Sequence, residues 1–454
     1  MKSIKKINKV LIANRGEIAL RVIRCCKDMG IKTVAIYSTV DKDALHVKMA
    51  DEAICVGPAP AKESYLNQAA IITAAMMTNS DAIHPGFGFL SEREDFIQKV
   101  EGHGIIFIGP NSKLVAAMGD KIVAKKTAVE AGLPIIPGSD GAVDDLDAAL
   151  DWAEEIGYPV MLKAAAGGGG KGMRPVYAKD EMAEKFAMVK AEAKNGFGDD
   201  TIYMEKLLTH PRHIEFQVLG DNHGNVVIAG ERDCSVQRKN QKVMEEAPAT
   251  GITEKERQHM IQVCTKAMKK LGYTCAGTLE FMYEDGEFYF LEMNTRIQVE
   301  HPVTEIVYGI DIVKEQIRIS EGHPLSFTQK DLVPKGHAIE FRINAEDPET
   351  FVPAPGKLEV YHPAGGYGVR VDSAMYAGFS IPPTYDSMIA KLIVYGDNRD
   401  EVIARCRRAL AEFKIEGPGV KTTIPLLQKI LNEDAVINNK LDNHWLEKYL
   451  GWKK

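Results

Sequence analysis

The chain begins with an alternation that leaves little choice of architecture. "KVLIA" (9–13) is an apolar run too short for a helix. "GEIALRVIRCCKDMG" (16–30) repeats apolar residues at helical spacing and ends on Gly30, a natural helix stop. "KTVAIYS" (32–38) is again short and β-branched. Two strands joined by a helical crossover lie parallel, and a parallel sheet needs helices on its faces. "DEAICVG", "DAIHPG" and "IIFIGP" carry the theme to about residue 110. The first segment is therefore α/β.

Such a sheet is Rossmann-like, yet its first turn reads "NRGEIA", with one glycine where a dinucleotide fingerprint needs three. A nicotinamide dinucleotide is disfavoured. The net charge of −7 argues against a general nucleic-acid or anionic-membrane binder. The basic start "MKSIKKINKVLIANRGE" has too short an apolar run for a signal segment, and nothing approaches the ~18 apolar residues of a membrane span. The seven cysteines are scattered without a Cys-x-x-Cys pair, which fits reduced thiols in a cytoplasmic protein.

At 454 residues, about three domains are expected. "AGLPIIPGSDG" (131–141) is rich in turn formers and marks a boundary. Beyond it, "YPVMLKAAAGGGGKGMRPVYA" sets a glycine run between two strands. Glycines let backbone N–H groups face an anion. This is not a Walker A loop, because Gly170-Lys171 is followed by Gly172. A linker and a phosphate-covering flap both fit four glycines; Lys163 and Lys171 favour the flap. "HIEFQVL" alternates as a strand, and "TEKERQHMIQVCTKAMKKLG" is an amphipathic helix.

"TLEFMYEDGEFYFLEMNTR" (278–296) reads as a hairpin with carboxylates in its apolar strands. Glu292 and Asn294 share a face. Buried acids need a metal or paired bases, and oxygen ligands of this kind suit magnesium that also holds phosphates. A two-residue turn would put Glu280 and Glu292 on opposite faces. A three-residue loop, Glu284-Asp285-Gly286 with Gly286 left-handed, would put them on one face and is the expectation.

Together, "LIANRGEIALRVIR", "HPGFGFLSE", "KAAAGGGGKGMR", "PRHIEFQVLGD", "ERDCSVQRKNQK", "EEAP" and "FLEMNTRIQVEHPVTE" resemble the biotin carboxylases of the ATP-grasp superfamily, along essentially the whole chain. The resemblance implies a Rossmann-like N-terminal domain (1–118), an ATP-grasp domain (119–334) with a mobile glycine-rich lid at about 136–206, and an α+β C-terminal domain (335–446). It implies that Lys121, Lys163, Gly169 and Gly170 contact the ATP phosphates. Glu205, Lys206, Leu207 and Leu208 would meet the adenine, and His213 and Gln237 the ribose side. Glu280, Glu292 and Asn294 match the ligands of magnesium or manganese, two ions in number, with Glu280 and Glu292 also on the nucleotide side. Lys242, Arg296, Gln298 and the Val299 backbone match the bicarbonate pocket, Glu300 the general base, and Arg342 the arginine that supports the biotin enolate. Asn240, Phe87 and Ala166 depart from the commonest family pattern; only Asn240 leaves a nucleotide contact unassigned.

The implied reaction carboxylates biotin with bicarbonate and ATP through carboxyphosphate, as in the first half-reaction of acetyl-CoA carboxylase. The same subunit in a pyruvate or acyl-CoA carboxylase, or another ATP-grasp ligase, are the alternatives. The basic run Arg232, Arg238, Lys239, Lys242 by itself reads as a solvated face, Arg342 as part of an ordinary cross-strand ion pair, since Glu340 shares its face, and His84 as a structural loop residue. "AMKK" (267–270) lacks the final Met of a biotinylation target and reads as core helix. Biotin is then expected on a separate carrier protein, with a separate carboxyltransferase and, from the family, a homodimer.

Overall fold

The computed structural model describes residues 4–119, 121–164, 173–197 and 200–452, without the side chains of 121–122 and 196–197. Two compact units emerge. One comprises the chain up to Leu133, Arg212–Met282 and the chain from Leu291; the other is Pro134–Pro211 with Tyr283–Phe290.

In the first unit, β1 (Lys9–Ile12), β2 (Lys32–Ser38), β3 (Glu52–Gly57), β4 (Ala82–His84) and β5 (Ile106–Phe107) form a sheet of order β3-β2-β1-β4-β5. All its pairings are parallel, as the opening alternation requires. The helix Gly16–Asp28 buries Ile18, Ala19, Val22, Ile23 and Cys26. It ends at Met29, and Gly30 follows with φ +71°, the left-handed position that glycine takes without strain. All seven cysteines are free.

In the second unit, β6 (Val160–Ala164), β7 (Met173–Val176) and β8 (Ile202–Lys206) make an antiparallel sheet of order β7-β6-β8. Val160, Leu162, Val176, Ile202 and Met204 are buried on it with Phe186 and Val189 of the helix Met182–Phe197. The glycine run expected to cover phosphates, with Gly169 and Gly170, lies outside the described residues.

The site rests on the largest sheet. Its strands are β9 (Arg212–Gly220), β10 (Val226–Arg238), β11 (Gln241–Ala247), β12 (Cys275–Glu284), β13 (Glu287–Asn294) and β14 (His337–Asn344). The chain then adds β15 (Val360–His362), β16 (Val369–Ser373), β17 (Met388–Gly396) and β18 (Lys414–Glu416). The order is β13-β12-β9-β10-β11-β14-β17-β16, with β15 and β18 paired apart. The β11–β14 pairing joins the middle of the chain to its C-terminal segment. Ala267 and Met268 of the "AMKK" string are buried in the helix Glu254–Lys270.

The hairpin corrects one expectation. β12 ends at Glu284 and β13 starts at Glu287, so the turn has two residues, Asp285 and Gly286, not the bulged three. Both have positive φ, +52° and +89°, the two-residue turn that matches strand twist; aspartate, like glycine, tolerates that region. In simple register this turn puts Glu280 and Glu292 on opposite faces. Indeed Glu280 is buried while Glu292 is exposed. The alternation of β13 also breaks: Leu291 and Glu292 are exposed and Met293 and Asn294 buried. That break lets Asn294 reach Glu280, its Nδ2 donating to Oε1 at 2.8 Å.

Candidate active site

Alternate residues of β9, β10 and β12 point the same way, and here they carry charge. Lys242, at the start of β11, places its Nζ among three carboxylates: Glu215 (2.6 Å), Glu280 (3.1 Å) and Glu300 (2.5 Å). Arg232 of β10 is fully buried. Its guanidinium donates to Glu215, Gln217 (2.9 Å), Thr304 (2.9 Å), Thr278 (3.2 Å) and Gln298 (2.9 Å). The reading of this basic run as a solvated face is therefore wrong for Arg232, Lys242 and the buried Arg238, which pairs with Glu346 at 3.1 Å, and holds for Lys239. Charge that would be costly in an apolar core is compensated here at nearly every donor. Along β10 and β11, exposure is confined to the turn between them and the first residue of β11, Lys239 to Gln241; Lys239 and Asn240 have positive φ, a conformation asparagine accepts.

Glu300 is 1% exposed and stands at the N-cap of the helix His301–Tyr308, where the helix dipole favours an anion. One oxygen accepts from Lys242, the other from Arg342 Nη2 at 3.0 Å. Burial pushes this carboxyl up, but Lys242, Arg342 and Arg232 outweigh it and hold it well below the usual carboxylate range. Glu280 is likewise raised by burial and lowered overall by Lys242 and His213, whose Nε2 lies 3.0 Å from its Oε2.

Arg342 does not pair with Glu340. Its Nε donates to Glu245 at 2.5 Å, because Glu245 and Glu340 are Cα partners across β11–β14 and Glu245 presents its carboxylate to the guanidinium edge. Burial raises Glu245 to about 7, opposed by Arg342 and reinforced by Glu300.

The segment after β13 is held from far along the chain. Glu92, in the "HPGFGFLSE" stretch, accepts from Thr295 N (2.8 Å) and Arg296 Nε (2.8 Å). Arg296 Nη2 donates to Asn294 Oδ1 at 2.7 Å. Gln298 donates to Glu280 at 2.6 Å and accepts from Arg232, and the Val299 carbonyl accepts from buried Lys391 at 2.8 Å. Gln237 bonds Asn443 (2.8 Å) and lies 3.5 Å from His213 Nδ1. His84 is structural: its Nδ1 accepts the Gly86 N–H at 3.0 Å.

In the second unit Lys163 and Glu205 pair across β6 and β8. Lys206 Nζ donates to the carbonyls of Gly157 (2.9 Å) and Tyr158 (3.2 Å), and its N–H to Pro137 O (2.8 Å). The Leu207 N–H donates to Pro159 O at 3.0 Å, and Leu208 follows half-buried. Lys121 opens the helix Lys121–Ala131, but its side chain lies outside the described residues.

Sequence reasoning brought together Lys242, Glu280, Asn294, Gln298, Glu300 and Arg342, and all six meet in the first unit. It passed over Glu92, Glu215 and Glu245 and took Arg232 for a solvated residue. The signal for Glu215 was present: a glutamate among the apolar residues of "HIEFQVL" sits as oddly as Glu280 does in "TLEFMY". Glu92 and Glu245 left no comparable mark, since their partners are distant in sequence.

Of the expected metal ligands, Glu280 and Asn294 meet in a buried place, and Glu280 favours its ionised form there, which suits a hard cation. Glu292 is exposed, and the two-residue turn counts against its sharing a metal site with Glu280. His213, Glu215 and Glu280 also bring ligand atoms within 4.8 Å of one another.

Comparison with known proteins makes this an ATP-using ligase. Residues 120–328 match the family model for the carbamoyl-phosphate synthase L chain, ATP binding domain. Residues 6–115 match that for the biotin carboxylase N-terminal domain, and 340–448 that for the biotin carboxylase C-terminal domain. The biotin carboxylase of Haemophilus influenzae is 56% identical over 98% of this chain and 99% of its own. A pyruvate carboxylase subunit of Methanothermobacter thermautotrophicus is 51% identical over 97% of this chain and 90% of its own. The biotin carboxylase domain of a thermophilic 2-oxoglutarate carboxylase, solved with ADP, superposes with TM-score 0.94 at 48% identity, covering 98% of each chain. The chain belongs to the biotin carboxylase family. It is an ATP-dependent carboxylase with biotin carboxylase activity.

Proposed function

We propose that the chain is the biotin carboxylase subunit of an acetyl-CoA carboxylase, making carboxybiotin on a separate carrier protein for a separate carboxyltransferase in fatty acid synthesis. The carrying observation is the continuous chain Lys242–Glu300–Arg342, which couples an anion pocket, a base and an arginine in one bonded line. Relatives named as subunits or domains of pyruvate and 2-oxoglutarate carboxylases support a second reading, in which the same protein serves another acceptor. Co-purification of the carrier and transferase from the native cell decides between them.

Bicarbonate is a poor electrophile and is activated by phosphorylation to carboxyphosphate. Arg296 offers a planar fork for the anion, and Lys242 adds a point charge. Gln298 and the Val299 backbone complete the pocket. A carboxylate held as low as Glu300 is a weak base while both cations bond it. As Lys242 turns to the bound anion, the proton affinity of Glu300 rises and it takes the bicarbonate proton. Lys121 and Lys163 neutralise the ATP phosphates, Gly169 and Gly170 cover them, and Glu205 to Leu208 receive the adenine, with His213 and Gln237 beside the ribose. Glu280, Glu292 and Asn294 would hold magnesium, in two sites, which supplies charge neutralisation for the transferring phosphoryl group when bound. Carboxyphosphate gives CO₂ and phosphate; the phosphate deprotonates biotin, and Arg342 stabilises the enolate-like anion.

The domains follow as 1–118, 119–334 with a lid at about 136–206, and 335–446, and the protein works as a homodimer. The test is ADP formation with bicarbonate, with and without free biotin. Biotin stimulation is expected; well-folded protein without it contradicts the reading.

A further inference from the structure

One guanidinium, that of Arg342, bonds two carboxylates through two different nitrogens. Nη2 reaches Glu300 at 3.0 Å, while Nε is bound by Glu245 at 2.5 Å. Glu245 is fully buried, and its backbone is fixed by the β11–β14 ladder that also carries Arg342. Glu340, its partner across that ladder, is fully buried too, and neither of its carboxyl oxygens has a hydrogen-bond partner among the described residues. Glu245 is thus the acceptor that ties the guanidinium at Nε. A guanidinium free to rotate about its last bonds would present its fork over a range of directions; one tied at Nε presents it in one.

We propose that Glu245 is a positioning residue for carboxyl transfer to biotin: its bond to Nε orients Arg342 so that the terminal nitrogens serve Glu300 and the developing biotin anion. The inference rests on the reading of Arg342 given above. It concerns reach rather than charge. Glutamine at 245 keeps the length of the side chain and an oxygen acceptor for Nε–H. Aspartate keeps the charge but draws the acceptor back by about one carbon–carbon bond, a displacement of the kind that costs up to ~10²-fold when reacting groups are misplaced by an ångström.

The experiment compares Glu245→Asp and Glu245→Gln in biotin-dependent ADP formation, with thermal melting as the check on folding and Arg342→Ala alongside. Glu245→Asp is expected to lower kcat for biotin carboxylation by roughly 30- to 100-fold with KM for ATP held within about twofold, and Glu245→Gln to lower kcat by no more than about fivefold. Aspartate as active as wild type, or glutamine as impaired as aspartate, overturns the proposal. A rise in KM for ATP matching the fall in kcat does so as well, because it marks a general structural loss. If Arg342→Ala itself leaves biotin-dependent turnover intact, the reading of Arg342 fails. If Arg342→Ala loses turnover and Glu245→Asp does not, only the positioning role fails.

Discussion

Two lysine–glutamate pairs, built from the same side chains, behave as opposites. Lys242 lies 11% exposed among Glu215, Glu280 and Glu300, each of them almost wholly buried. Lys163 and Glu205 pair in the second unit with 34% and 25% of their side chains exposed. The first pair belongs to a lattice in which Arg232, Arg342 and Gln298 fix the remaining acceptors, so folding itself sets its geometry. The second is screened by water and can exchange partners at little cost. On the proposed function, the first unit supplies charge already oriented for a small anion, and the second supplies charge that a long ligand can reorder.

The sharpest way to break this contrast is Glu300→Gln. Bicarbonate-dependent turnover should fall by roughly 10²–10⁴-fold while KM for ATP stays within a few-fold. Near-normal steady-state rates would remove Glu300 as base. Next comes Lys242→Met, which takes the shared cation from three buried carboxylates and leaves each with its remaining partners only. Urea unfolding should show a loss on the order of 3–5 kcal/mol besides lost activity. A loss below about 1 kcal/mol would place Lys242 in the same class as Lys163.

Glu246 extends the comparison to pH. Burial raises its carboxyl, but His337 and Arg399 outweigh that and hold it at about 2. A depressed carboxyl stabilises the fold above its unfolded value of 4.5 and loses that contribution as pH falls toward about 2. Glu246→Gln should therefore cost about 3 kcal/mol near neutrality, and the gap to wild type should close across that acid window in pH-resolved melts. A gap independent of pH would exclude a charge origin. The smallest stability effect is expected for Lys163→Gln, under about 1 kcal/mol, with KM for ATP raised about tenfold. Equal affinity in a direct ATP titration would deny Lys163 a phosphate role.

The parallel sheet was legible because strand, helix and strand follow one another in "KVLIA…KTVAIYS", and such order admits few topologies. The polar segment at 292–300 was legible because carboxylates are conspicuous in apolar strands. The hairpin turn was not. Asp285-Gly286 suits a two-residue turn and a bulged loop alike, and the break in alternation after Phe290 depends on packing that local sequence does not encode. Arg232 was misread for a related reason. Whether a basic residue is solvated or buried depends on the five acceptors that converge on it from β9, β12 and the segment 298–304. Glu92 and Arg296 are 204 residues apart and become neighbours only through the fold.

The central claim is that the fold alone keeps Glu300 ionised between Lys242 and Arg342. Infrared difference spectra of ligand-free wild type against Glu300→Gln, titrated from about pH 8 to about pH 5, test it most directly. The account predicts the carboxylate bands of Glu300 throughout that range. A protonated carbonyl band with its midpoint near or above about pH 7 would contradict it, and would mean that burial, not the two cations, governs the base.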